Sequence, residues 1–288
     1  MQHVFACGYS RSGTTLLTTI LDSHPDIAMG YELMPLGLPP LAEAIRTIEL
    51  AAGRGDPAEI LRKDPETRSI GVFLVHCSQA RVGPDEAVDV LQRLYAEGMH
   101  KVRGLRDRLR VAAAVVERKR TREGASLSGF KANTPRVGAV DRYLPGSAYV
   151  FIVRDPRDVL ASQLKRGFDR PVRTVARHWG TYVARFRRFA SRHPDRTALV
   201  RYEDLVADRD AGLKTIFDAL GLQYGDEVVR FYDSNASIHG TRHNNAPNVG
   251  RDLYSTSVGR WRDDLSPQQI DGIVRRCRRQ MGAVGYAV

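Results

Sequence analysis

No apolar run in the chain approaches the ~18 residues that a membrane-spanning helix needs, which excludes a span of that kind. The opening stretch "MQHVFACGYS" lacks the basic region and long apolar segment of a secretory signal, and it leads directly into a strand. Cysteine is scarce. Cys7, Cys77 and Cys277 lie far apart, which excludes a disulfide framework and a zinc-ligand pattern. They fit a reduced cytoplasmic protein in which each thiol is a small buried hydrophobe. No internal repeat and no low-complexity tract occurs. Acidic residues are in deficit, 33 against 44 Lys and Arg, for a net charge of +11. Such a balance favours anionic ligands. The basic clusters "RKRTR" (118–122) and "RRCRR" (275–279) lack the interleaved aromatics that stack on bases. They are expected to be solvated helix faces rather than a nucleic-acid surface.

What is present is ordinary globular material: 42% hydrophobic and 27% charged residues over 288 positions, enough for a large core. The pattern predicts one α/β domain over 1–288, with a helical insertion at about 41–123. Strands are expected at His3–Cys7, Ile27–Tyr31, Leu127–Lys131, Ala148–Val153 and Thr197–Tyr202, and helices at Thr14–Ser23, from Asp155 onward and at Ala211–Leu220. His24-Pro25 stops the first helix, Asp155 caps the second and Gly221 ends the third. The run "IGVFLVHC" (70–77) fits a strand and a buried helix equally. Strands alternating with helices imply a parallel sheet, whose ligands gather at the carboxyl ends of its strands.

The first such end carries "GYSRSGTT", with Gly8 and Gly13 spaced as in a phosphate-binding P-loop. Thr14 stands where that loop has its lysine, and Arg11 lies inside the loop. Backbone N–H groups at a helix N-terminus bind phosphate whatever the side chains are. The strand "AYVFIV" ends in Arg154 where a triphosphatase might place a magnesium-holding acid. Ser162 and Arg166 follow in the next helix, four residues apart and so on one face. Two arginines and a hydroxyl there suit a second phosphate. A ligand with two separate anionic groups and no metal accounts for both strand ends.

Taken together, "SRSGTTLL…HPDI…E", "VFIVRDPRDVLAS", "RYEDLV" and "SVGRWR" resemble the PAPS-dependent sulfotransferases, nearest to the tyrosylprotein sulfotransferase-like branch and its bacterial relatives. PAPS is 3′-phosphoadenosine-5′-phosphosulfate. The resemblance spans residues 4 to about 263, with no recognised motif at 36–126. It implies a P-loop-like parallel sheet flanked by helices, PAPS as sulfuryl donor, adenosine 3′,5′-bisphosphate (PAP) as product, and no metal. It assigns Arg11, Ser12, Gly13, Thr14 and Thr15 to the 5′-phosphosulfate, and Arg154, Ser162 and Arg166 to the 3′-phosphate. Tyr202 falls at an adenine-side position. "YSTSVGRW" matches a late loop over the nucleotide, with Arg260 as a phosphate contact and Ser255 and Ser257 both candidates for its serine; Trp261 is core or ligand.

The same resemblance makes Glu32 the base that deprotonates the acceptor hydroxyl, and Lys131 a residue that stabilises the transferring sulfuryl group. A positioned carboxylate typically contributes ~10²–10⁴-fold in such a step. His76 is the rival base, since cytosolic sulfotransferases use histidine; its apolar surroundings also suit a satisfied core histidine. The acceptor is expected to be a hydroxyl-bearing small molecule, carbohydrate, lipid or peptide, selected by the helical insertion. Two other classes fit the sequence less well: a small-molecule kinase using ATP, which Thr14 in the lysine position opposes, and a basic nucleic-acid-binding protein, which leaves the ordered motifs unexplained.

Overall fold

A computed structural model describes residues 2–168, 170–234, 236, 238 and 257–288. Five strands form one parallel sheet: β1 (His3–Cys7), β2 (Ile27–Gly30), β3 (Leu127–Ala132), β4 (Ala148–Val153) and β5 (Thr197–Arg201), in the order β2-β3-β1-β4-β5. β1 lies at the centre, pairing Phe5 with Phe130 of β3 and with Tyr149 of β4. Every residue of β3 and β4 is buried, as expected of parallel strands covered on both faces.

The two-residue period of the strands divides the core. Val4, Ala6, Val150 and Ile152 face one cluster with Leu17, Ile20, Ile216 and Phe217. Phe5, Cys7, Tyr149 and Phe151 face the other, which contains Trp179, Phe186, Leu91 and Val115. Helix α1 (Thr14–Asp22) packs on the first side. The stretch Leu41–Glu123 is helical: α2 (Leu41–Ala52), α3 (Pro57–Lys63), α4 (Arg68–Gln79), α5 (Pro84–Ala96) and α6 (Leu105–Glu123). The ambiguous apolar run 70–77 is therefore helix, inside α4. Among the described residues no helix is long and apolar enough to cross a membrane.

After β3 come α7 (Val137–Tyr143), β4 and α8 (Pro156–Lys165), then α9 (Val172–Ala190) and β5. Asp155 caps α8 by accepting from Arg157 N, and Pro156 occupies the first turn, where its missing N–H costs nothing. Tyr202 opens α10 (Tyr202–Ala207) rather than ending β5, and α11 (Arg209–Leu220) stops at Gly221 with φ 66°. The helix Pro267–Ala283 packs on α9.

One surface expectation fails. Lys119, inside "RKRTR", is 1% exposed and pairs with Asp22 at the end of α1 and with Glu123 at 3.3 Å. Asp22 also accepts from Met29 N at 2.7 Å, so the ammonium and carboxylate are buried as a hydrogen-bonded set joining α6, α1 and β2. Its neighbours behave as surface charges: Arg120 pairs with Glu117, Arg118 with Asp89 and Arg122 with Glu86.

Candidate active site

The loop leaving β1 is shaped by its glycines. A Cβ on Gly8 would lie 2.6 Å from the Ile152 carbonyl oxygen of β4, and one on Gly13 would lie 2.8 Å from the Tyr202 ring. Gly13 also has φ 96°, a conformation that costs glycine little. Arg11 takes φ 70°, which for a residue with a side chain costs of order 1–3 kcal/mol and is concentrated at functional loops. Ser12 N donates to the Tyr9 carbonyl at 3.1 Å, tightening the turn before α1 begins. Ser12 is fully buried, and among the described residues its Oγ has no hydrogen-bond partner.

On one flank of this loop the strand-end arginine and the helix hydroxyl come together. Arg11 Nε donates to Ser162 Oγ at 3.1 Å, joining the first motif to the second. Buried Arg154 donates from Nη1 to the Arg11 carbonyl at 3.3 Å and from Nη2 to the Ser257 carbonyl, and its guanidinium lies 4.7 Å from the centre of the Tyr202 ring. Its own carbonyl accepts from Trp179 Nε1 at 2.9 Å. Tyr202 OH and Ser257 Oγ are 2.9 Å apart. Among the described residues Arg154 Nε has no partner.

Three expected members of this group stand differently. Arg166 is exposed at the C-terminal cap of α8, because the helix ends there. Arg260 donates to Asp264 at 2.5 Å, one turn later on the same face. Ser255 lies outside the described residues. Trp261 is half-buried between two guanidinium groups, Arg157 at 4.1 Å and Arg262 at 4.6 Å from its ring centre.

On the other flank lie the acid and the lysine. Tyr31, fully buried after β2, donates to Thr19 Oγ1 at 3.3 Å and so pins the chain to α1 just before Glu32. Lys131 of β3, with a side chain 3% exposed, donates to Glu32 Oε1 at 2.6 Å and to Thr15 Oγ1 at 3.4 Å. Thr14 and Thr15 are buried at the start of α1, where their carbonyls accept from Thr18 and Thr19 hydroxyls.

His76 is not the core residue that its apolar neighbours suggest. Its Nε2 is 3.7 Å from Glu32 Oε2, and its side chain is partly exposed. Burial lowers its pKa below the usual 6.5, Glu32 pulls it back up and Lys131 lowers it again. The signal that locates it is helical: in α4 the half-buried residues Val72, Val75 and His76 form an i, i+3, i+4 stripe beside the buried Phe73 and Cys77.

A profile of the sulfotransferase family matches residues 3–226. The chain belongs to the sulfotransferase family. Solved sulfotransferases share its architecture. The sulfotransferase domain of the Synechococcus PCC 7002 olefin synthase is similar with a TM-score of 0.65 at 19% identity, covering 100% of this chain and 96% of that one. The sulfotransferase domain from the curacin biosynthetic pathway gives 0.64 at 18%, covering 100% and 98%. Mouse sulfotransferase SULT7A1, complexed with PAP, gives 0.51 at 13%, covering 98% and 85%. At these identities the likeness is one of fold. The parallel sheet flanked by helices is thus that of a sulfotransferase, and sulfuryl transfer is the chemistry this family membership supports.

Proposed function

We propose that this sulfotransferase takes its sulfuryl group from PAPS and passes it to an acceptor hydroxyl by in-line displacement, with Glu32 as the base. The observation that carries the reading is the 2.6 Å contact between Lys131 and Glu32 beside Thr15, at the mouth of the glycine loop. A carboxylate and an ammonium there would face the sulfur of a loop-bound phosphosulfate.

The donor flank fits a doubly anionic nucleotide. Ser12 Oγ and Arg154 Nε are buried polar atoms without partners among the described residues, and such groups are costly unless a ligand satisfies them. Arg154, Ser162 and Arg166 would hold the 3′-phosphate and Tyr202 would lie on the adenine side, with Ser257 closing the group. Arg11, Ser12, Gly13, Thr14 and Thr15, with the loop's backbone N–H groups, would hold the 5′-phosphosulfate, Arg11 linking the two parts through Ser162. A mouse sulfotransferase of similar fold is complexed with PAP, the product such a reaction releases.

Glu32 receives the proton of the acceptor hydroxyl. The acceptor oxygen forms its bond to sulfur as the bond from sulfur to the bridging phosphate oxygen breaks, and the electron pair leaves on PAP. Lys131 and Arg11 offset the negative charge that grows on the sulfuryl and leaving oxygens. Cations set in place before the reaction do this without reorganisation. The helical segment Leu41–Glu123 would serve as the acceptor cover within one catalytic domain, since α4 already carries His76 to Glu32. The acceptor class is a hydroxyl-bearing small molecule, carbohydrate, lipid or peptide.

Calorimetry with PAP and AMP, in the absence of magnesium, tests the donor. Charge-assisted hydrogen bonds to the 3′-phosphate are each worth roughly 1.5–3 kcal/mol, so PAP should bind at least about tenfold more tightly. Equal affinities would reject the assignment. Radiolabelled PAPS with a panel of hydroxyl compounds then identifies the acceptor.

A further inference from the structure

Asp158 belongs to no part of the site described so far, yet it is 1% exposed. It sits in the first turn of α8, four residues before Ser162 and so on the same face of the helix, and Arg154 lies just before the cap of that helix. Its two oxygens are used separately. Oδ2 accepts from Gly259 N at 2.8 Å, and Oδ1 accepts from Trp261 N at 3.0 Å. An acid placed only to complement the helix dipole does so while exposed to solvent and needs no such partners. This carboxylate is instead turned onto a segment 101 and 103 residues further along the chain.

That segment is the one that reaches the donor flank. Arg154 holds the Ser257 carbonyl, and Tyr202 meets the Ser257 hydroxyl. Gly259, with φ 75°, takes the turn between them and the helix Trp261–Asp264. Asp158 is thus the third point of attachment, and it fixes the direction of the backbone just after the serine. A carboxylate suits the task because one group must accept two N–H bonds from different residues. Burial raises its pKa, while those two N–H groups and nearby Arg154 favour the charged form.

We propose that Asp158 is a positioning residue for the sulfuryl donor: by clamping Gly259 and Trp261 it holds Ser257 against Arg154 and Tyr202 in the arrangement that binds the nucleotide. The proposal rests on the donor reading above. It goes beyond it by naming the group that closes the site without touching the ligand.

The test uses the full chain and PAP. Asp158→Asn keeps the size but turns an amide N–H₂ toward one of the two backbone donors. It should raise the Kd for PAP and the KM for PAPS at least about tenfold, the loss expected of one charge-assisted hydrogen bond. The acceptor KM should not move, and kcat at saturating donor should stay within about twofold. A variant that is merely less stable, with the wild-type Kd, would overturn the proposal. Wild-type protein that bound no PAP would overturn the donor reading together with it. Should the variant not fold, hydrogen exchange on the wild type decides: the Gly259 and Trp261 amides should be protected and become more so with PAP, and amides that exchange freely in both states would also overturn it.

Discussion

Lys131 and Glu32 stand 99 residues apart in the chain and 2.6 Å apart in space. The lysine side chain is almost wholly buried, whereas the glutamate side chain is 43% exposed. The pair is therefore asymmetric: a fixed cation holds one oxygen of a carboxylate whose other oxygen is open to the cleft and to His76. In the proposed mechanism this contact would orient Glu32 as the base, and the lysine would serve two roles, first holding Glu32 and then facing charge on the sulfuryl group.

Replacing Glu32 by Gln keeps the size and removes the proton acceptor. We expect kcat to fall about 10²-fold or more, with the PAP affinity nearly unchanged, because the donor flank is built from other residues. Steady-state kinetics beside calorimetry measures both. A Glu32→Gln enzyme with the wild-type kcat would remove the base from the mechanism.

Arg11 allows the backbone and the side chain to be separated. Its φ of 70° suits glycine, so Arg11→Gly deletes the guanidinium and relieves the loop, while Arg11→Ala deletes it and keeps the strain. Both should lower kcat by at least about tenfold, since the charge is needed most as the bridging bond breaks. Arg11→Lys should recover part of the loss. In thermal melts Arg11→Gly should be more stable than Arg11→Ala by about 1 kcal/mol. Identical kcat values for all three variants and the wild type would show that the loop arginine does not act on the transition state.

The middle of the sheet was legible from sequence because β3 and β4 are buried on both faces and β4 reads as an apolar run; Ala148–Val153 is the plainest case, and both of its ends fall as expected. The caps at Asp155 and Gly221 were legible because each rests on one residue's local chemistry. The pairings were not. Arg11 meets Ser162 across 151 positions and Lys119 meets Asp22 across 97, and nothing in either neighbourhood encodes the other. Lys119 was hidden further by the arginines around it, which make a buried ammonium look like one more surface charge. The run 70–77 hid His76 for a related reason: eight residues carry too little periodicity to separate a strand from a helix, and only the helix puts the imidazole on its half-exposed side.

The buried ion pair beneath the site gives a stability prediction. Lys119→Met leaves the Asp22 carboxylate buried without its cation, with Met29 N–H still donating to it, and breaking such a pair costs about 3–5 kcal/mol. Lys119→Met combined with Asp22→Asn should cost less than the two single changes summed, because the amide still accepts from Met29 N without stranding a charge. Denaturant midpoints at constant m-value measure this. Additive effects would mean that the two side chains do not depend on each other.

His76 can be separated from Glu32 by kinetics and by pH together. Burial is the largest influence on its imidazole and lowers its pKa, so the folded protein holds it neutral at pH 7. As pH falls below the ordinary value of 6.5, the unfolded chain binds the proton first. Stability must then decline from that point down to the lowered folded value. His3, lowered by burial as well, contributes a decline of the same sign, so in His76→Asn the decline should be smaller rather than absent, and the wild type should lose ground to the variant only in that window. The imidazole faces Glu32 Oε2 at 3.7 Å, so its loss loosens the base without removing it, and kcat should drop less than about tenfold. The expected order of activity is wild type, then His76→Asn, then Glu32→Gln. A folded but inactive His76→Asn beside an active Glu32→Gln would reverse the two roles, making the histidine the base and the glutamate the group that orients it.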